Sequence, residues 1–106
     1  MNGNPEEKYL YVVKFSKNGK LIYISHLDLM TLLRRAVRRA AIPFILTKGF
    51  SPRVKLSLMR ALKLGVPSDA EEMKLWLSKR MDPGEVKDRL NQVLPEDVKV
   101  SEVLIK

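Results

Sequence analysis

Cysteine is absent from the 106 residues, and histidine and tryptophan occur once each. Without a thiol the chain itself supplies no disulfide, thiolate metal site, cysteine nucleophile or iron–sulfur ligand. No apolar run approaches the roughly 20 residues that cross a bilayer. The opening, Met1-Asn-Gly-Asn-Pro-Glu-Glu7, is polar and acidic where a secretory leader is basic and then apolar, so a soluble, cytoplasmic protein is expected. Internal repeats and low-complexity tracts are missing as well.

Carboxylates are scarce in one half only. Residues 1 to 63 hold 13 Lys/Arg against Glu6, Glu7 and Asp28, a balance of +10. Residues 64 to 106 hold seven against nine, a balance of −2. A solubilising surface spreads its charge evenly, whereas a polyanion-binding face concentrates it, so RNA is the partner class this asymmetry suggests. At 45% hydrophobic the chain has enough apolar residues for one modest core, and two domains would each be too small. The expected organisation is a flexible lead over residues 1–7 and a single domain over 8–106.

Tyr9, Tyr11, Val13 and Phe15 alternate onto one face of a strand over Lys8 to Ser16. Asn18-Gly19 is a tight-turn signal, and Lys20 to Ile24 is expected to return as a second strand, making a hairpin whose tip carries Lys17 and Lys20. Ser25 and Asp28 have the spacing of a capping box, so a helix starts there. Along it Leu29, Leu32, Leu33, Ala36, Val37 and Ala40 form an apolar stripe, with Arg34, Arg35, Arg38 and Arg39 opposite. Ile42-Pro43 ends the helix, and Phe44 to Thr47 reads as a short strand. Further extended segments are expected at Val54 to Leu58 and Leu62 to Val66, and a two-faced strand at Glu72 to Ser78, with a short helix as the alternative there. Asp82-Pro-Gly-Glu85 opens a second helix with Val86, Leu90, Val93 and Leu94 buried, and Val98 to Ile105 is a final strand. Strand, helix, strand, strand, helix, strand is the split βαβ plan of a ferredoxin-like sandwich, an α+β fold with an antiparallel sheet and two helices on one face. The N-terminal hairpin is an addition to it.

Three features carry chemistry. The four helix arginines suit phosphates, because each guanidinium offers two parallel hydrogen bonds; the bland alternative is a solvated helix face, although such faces usually mix signs. Lys48-Gly-Phe-Ser-Pro-Arg53, with Lys55 beyond it, combines cations and an aromatic in a loop. Phe50 either stacks on a base or plugs the core under a Gly49 turn, while Lys48 and Arg53 serve phosphates in both cases. His26 beside Asp28 is a weak candidate for a general base on a ribose hydroxyl; packing or capping is the alternative. Trp76 and the tyrosines Tyr9, Tyr11 and Tyr23 are assigned to packing. No cofactor or metal is called for.

The segments Phe15-Ser-Lys-Asn-Gly-Lys20, Ser25-His-Leu-Asp-Leu29, Arg35-Ala-Val-Arg-Arg-Ala40, Gly49-Phe-Ser-Pro52 and Leu64-Gly-Val-Pro-Ser68 together resemble the radical-SAM-linked protein family, domain of unknown function 2344. The resemblance spans about residues 8 to 106 and implies a radical SAM enzyme, fused or separately encoded, as a partner. The family domain commonly runs to about twice this length, so the chain is similar to its N-terminal half. Arg53-Val54 stands where the family often has a residue followed by proline. Gly49-Phe-Ser-Pro52 is also loosely similar to the glycine-rich loops of ferredoxin-like, repeat-associated RNA-processing proteins. The expected function is a noncatalytic RNA-binding module that contacts the phosphate backbone through a basic face and is accessory to an RNA-modifying or ribosome-linked radical SAM enzyme. A protein-interaction or substrate-presenting partner of that enzyme, its basic face docking an acidic protein surface, and a small RNA endonuclease using His26 are the alternatives.

Overall fold

In the computed structural model residues 9–60 and 63–106 are described. The expected lead over residues 1–7 and the start of the segment at Leu62 lie outside them. Strand β1 covers Tyr9–Lys17, helix α1 His26–Arg39, β2 Leu56–Leu58, β3 Ser68–Leu77, α2 Pro83–Val93 and β4 Val98–Ile105. All pairings are antiparallel and the strand order is β2-β3-β1-β4. That order, with both helices packed on one face, is the ferredoxin-like α+β sandwich.

Strand β1 lies in the middle of the sheet, and its alternation sets the core. Tyr11, Val13 and Phe15 point under the helices and are fully buried. They meet Met73, Leu75 and Leu77 of β3 and Val98, Val100 and Val103 of β4. Helix α1 contributes Leu29, Leu33, Ala36 and Val37, and α2 contributes Val86 and Leu90. The Tyr11 hydroxyl donates to the Met81 carbonyl at 2.6 Å and accepts from its N–H at 2.9 Å, pinning the β3–α2 connection to the central strand.

Both helix starts follow their capping signals. The Ser25 hydroxyl accepts from the Asp28 N–H at 3.1 Å, and the Asp82 carboxylate accepts from the Glu85 N–H at 3.2 Å. The end of α1 is more specific than a proline stop. The Ile42 N–H reaches back to the Val37 carbonyl at 3.4 Å and the Ala41 N–H to the Arg38 carbonyl at 3.1 Å, the paired bonds of a Schellman motif. Ala41 takes the left-handed position at φ +56°, where glycine is the usual residue. Arg89 of α2 then donates to the Ala40 and Ala41 carbonyls, each at 3.2 Å, and pairs with Glu85 at 2.7 Å.

The N-terminal hairpin does not form. Gly19–Tyr23 is a 3-10 helix, because β3 and β4 already occupy both edges of β1 and leave no ladder for a returning strand. Instead the turn closes on the α2–β4 connection: the Asn18 N–H donates to the Asp97 carbonyl at 2.9 Å, and the Lys20 N–H to the Asp97 carboxylate at 3.2 Å. Gly19 stands at φ +59°, a region that suits glycine, and a Cβ there would fall 2.5 Å from the Asp97 carboxylate and push it off the Lys20 N–H. Tyr23 is accordingly exposed rather than paired in a sheet.

The other strands differ in extent. Phe44 to Thr47 contributes only isolated bridges, Phe44 to Leu77 and Leu46 to Val54. Regular pairing of β2 begins at Leu56, whereas β3 begins four residues before Glu72, at Ser68. Residues 64 and 65 form a turn, with Gly65 at φ +78°. No helix among the described residues is long and apolar enough to cross a membrane.

Candidate functional site

The basic segments expected to share one surface divide between two ends of the sheet. Lys17 pairs across the sheet with Ser68 and Val98, whereas Tyr9, at the other end of β1, pairs with Leu77, which also bridges to Phe44. The eight residue steps of β1 between them amount to roughly 26 Å. Lys17 and Lys20 therefore do not form one local cluster with the segment 44–55.

Lys17 is not a surface cation at all: it is 1% exposed. It has the same parity as Tyr11, Val13 and Phe15, so the strand carries it to the core side. There Nζ donates to the Lys63 carbonyl at 2.9 Å and the Ile22 carbonyl at 3.4 Å. Its role as a binding residue is thereby corrected to a structural one. The alternation of β1 already contained this placement; the adjacent turn signal distracted from it. Lys20 is exposed, on the turn held by Asp97.

At the opposite end, residues 45–55 form an irregular hairpin. The Thr47 N–H donates to the Arg53 carbonyl at 2.7 Å, the Arg53 N–H to Thr47 Oγ1 at 3.1 Å, and the Lys55 N–H to the Ile45 carbonyl at 2.7 Å. Helix α1 braces the hairpin through Arg34, whose Nε donates to the Val54 carbonyl at 3.1 Å. Arg34 is thus half-buried, not on the outer face of the helix as its spacing implied. Burial, and then the neighbouring Arg53 charge, lower the Arg34 guanidinium from its ordinary value. Arg38, one turn on, lies over the Phe44 ring at 4.9 Å. Lys48 and Arg53 are exposed, and Lys55 is half-buried with Nζ 4.9 Å from the Trp76 ring centre.

Phe50, at the hairpin tip, is fully exposed, so it does not plug the core. Gly49 before it has φ +125°, with open space where a Cβ would stand.

The helix arginines split into two pairs about 100° apart around α1. Arg34 and Arg38 face the hairpin. Arg35 and Arg39 border a groove of about 480 Å³ toward α2, which Asp28 also lines. A continuation past Arg39 of about 640 Å³ is lined by Asp82, Glu85 and Asp88. That groove mixes signs, whereas the charged groups described at the hairpin edge are cations. Among the described residues no carboxylate lies within ion-pair distance of Arg34, Arg38 or Arg53. On the open face of the sheet Lys14 lies between Glu72 at 3.9 Å and Glu102 at 3.6 Å.

His26 is exposed in the first turn of α1, about 12 Å of helix rise from Arg34. No group of three or more His, Cys, Asp or Glu among the described residues is placed to hold a metal.

Residues 10–105 match the family described as "Uncharacterized protein conserved in bacteria (DUF2344)". No curated protein matches the chain.

Proposed function

The chain belongs to the DUF2344 family, and from that premise we propose that it is a noncatalytic RNA-binding module that grips phosphates along the edge between α1 and the 45–55 hairpin. One observation carries this reading: Arg34, Arg38 and Arg53 gather there with no described carboxylate to neutralise them. Arg34 lies close enough to Arg53 for the two charges to repel, and a phosphate between them would relieve that repulsion. Guanidinium groups meet phosphate oxygens through paired hydrogen bonds, and backbone contacts of this kind fix position more than sequence. Lys48 and Arg35 lie close enough to add to the field; Lys20 does not.

The test is the binding of a short single-stranded RNA at two salt concentrations. Three phosphate contacts correspond to about a 20-fold loss of affinity between roughly 50 and 200 mM salt. Affinity that stays flat over this range would count against phosphate contacts altogether.

A second reading, docking to a separately encoded radical SAM enzyme, is supported by a different surface. Tyr23, Leu64 and Val66 are exposed at the Lys17 end of the sheet, and Gly65 between the last two abuts the Tyr23 ring. An apolar patch on that side fits a protein partner better than a polyanion. The two surfaces lie at opposite ends, so both partners can be held at once.

A further inference from the structure

A bare phenylalanine is costly to leave in water, and in this chain it stands on a braced support. The hairpin beneath Phe50 is closed by the Thr47–Arg53 and Ile45–Lys55 hydrogen bonds and tied to α1 by Arg34. Gly49, in a backbone region that suits glycine, turns the chain so that the ring projects from the tip. Three peptide steps separate Phe50 from Arg53, at most about 11 Å between their Cα atoms. The ring and the arginines therefore fall within reach of one short stretch of polynucleotide.

We infer that Phe50 is a stacking platform for an unpaired nucleotide whose flanking phosphates lie against Arg53 and Arg34. This rests on the reading of the basic edge and deepens it by naming the substrate class, a single strand rather than a duplex. The chemistry discriminates the two. Every base has a π-face, and a single strand can splay one onto an aromatic ring, whereas duplex bases already stack on each other. A duplex can use the arginines alone. An exposed aromatic also fits a protein partner, but the arginines around this one, without described counter-charges, favour a polyanion.

Single-stranded RNA, the same sequence as single-stranded DNA, and its RNA duplex are titrated at low salt with the wild-type chain, Phe50→Ala and Phe50→Trp. Phe50→Ala is expected to weaken single-strand binding about tenfold and to leave duplex binding unchanged. Phe50→Trp retains single-strand affinity. Because the side chain packs against no core, the urea midpoint stays the same in both variants. The RNA and DNA arms show whether ribose contacts add to the shared base and phosphate chemistry. Equal losses on single strand and duplex, or no loss on the single strand, overturn the stacking role while the basic edge stands. A wild-type chain that binds none of the three overturns both.

Discussion

Where β1 ends, the protein's own oxygens answer two of the cations: Lys17 is buried on two carbonyls, and the exposed Arg60 lies 3.9 Å from the nearly buried Glu71. At the hairpin edge Arg38 and Arg53 face outward and Phe50 stands bare beside them. Lys17 and Arg53 contribute equally to the net charge of +8, yet only one of them can meet a ligand. Net charge thus predicts attraction to a polyanion, and only the local accounting of carboxylates and carbonyls says which cations do the attracting.

The largest expected effect sets the two ends directly against each other. Arg38→Glu combined with Arg53→Glu should lower single-stranded RNA affinity on the order of 100-fold or more, while Lys20→Glu leaves it nearly unchanged. Equal losses from both would erase the distinction. Next comes Lys17→Met, which keeps the length of the side chain but strands the Ile22 and Lys63 carbonyls. A destabilisation of about 2 kcal/mol in urea unfolding is expected, with RNA affinity intact once folded; an unchanged midpoint would show that the buried ammonium is not structural. Arg35→Glu with Arg39→Glu, in the mixed groove, should weaken RNA binding only about fivefold, since these charges act at a distance. Smallest is Ala41→Gly, which relieves the left-handed strain at the end of α1 and should stabilise the fold by roughly 0.5–1 kcal/mol, read from the same unfolding curves. Destabilisation by glycine would mean that Ala41 packs better than its backbone suggests.

Local signals were legible where a single element decides the outcome. Ser25 and Asp82 mark both helix starts, and the alternation of Tyr11, Val13 and Phe15 marks the central strand. What the sequence hid depends on neighbours far along the chain. Asn18-Gly19 reads as a hairpin only while the edges of β1 are thought free, and the strands that fill them come at residues 68–77 and 98–105. The early start of β3 was masked by Glu71, a carboxylate on the buried side of the strand. At the site, the split of the arginines follows from helical angle alone. The grip of Arg34 on Val54, by contrast, needs the hairpin to be in place. Whether Phe50 faces inward or out was open in the sequence, and the geometry of the tip decides it.

The position of β1 in the middle of the sheet also has a consequence in time. Tyr11 pairs with Ile105, which is synthesised long after it. At a synthesis rate of roughly 5–20 residues per second, the strand's apolar side waits on the order of 5–20 s for its neighbour, open to wrong pairings with other nascent chains. Lys14 lies within that strand on the face away from the core. A charge in the middle of a waiting strand discourages such pairing, and the residue that supplies it is the one that bridges Glu72 and Glu102 once the sheet is complete.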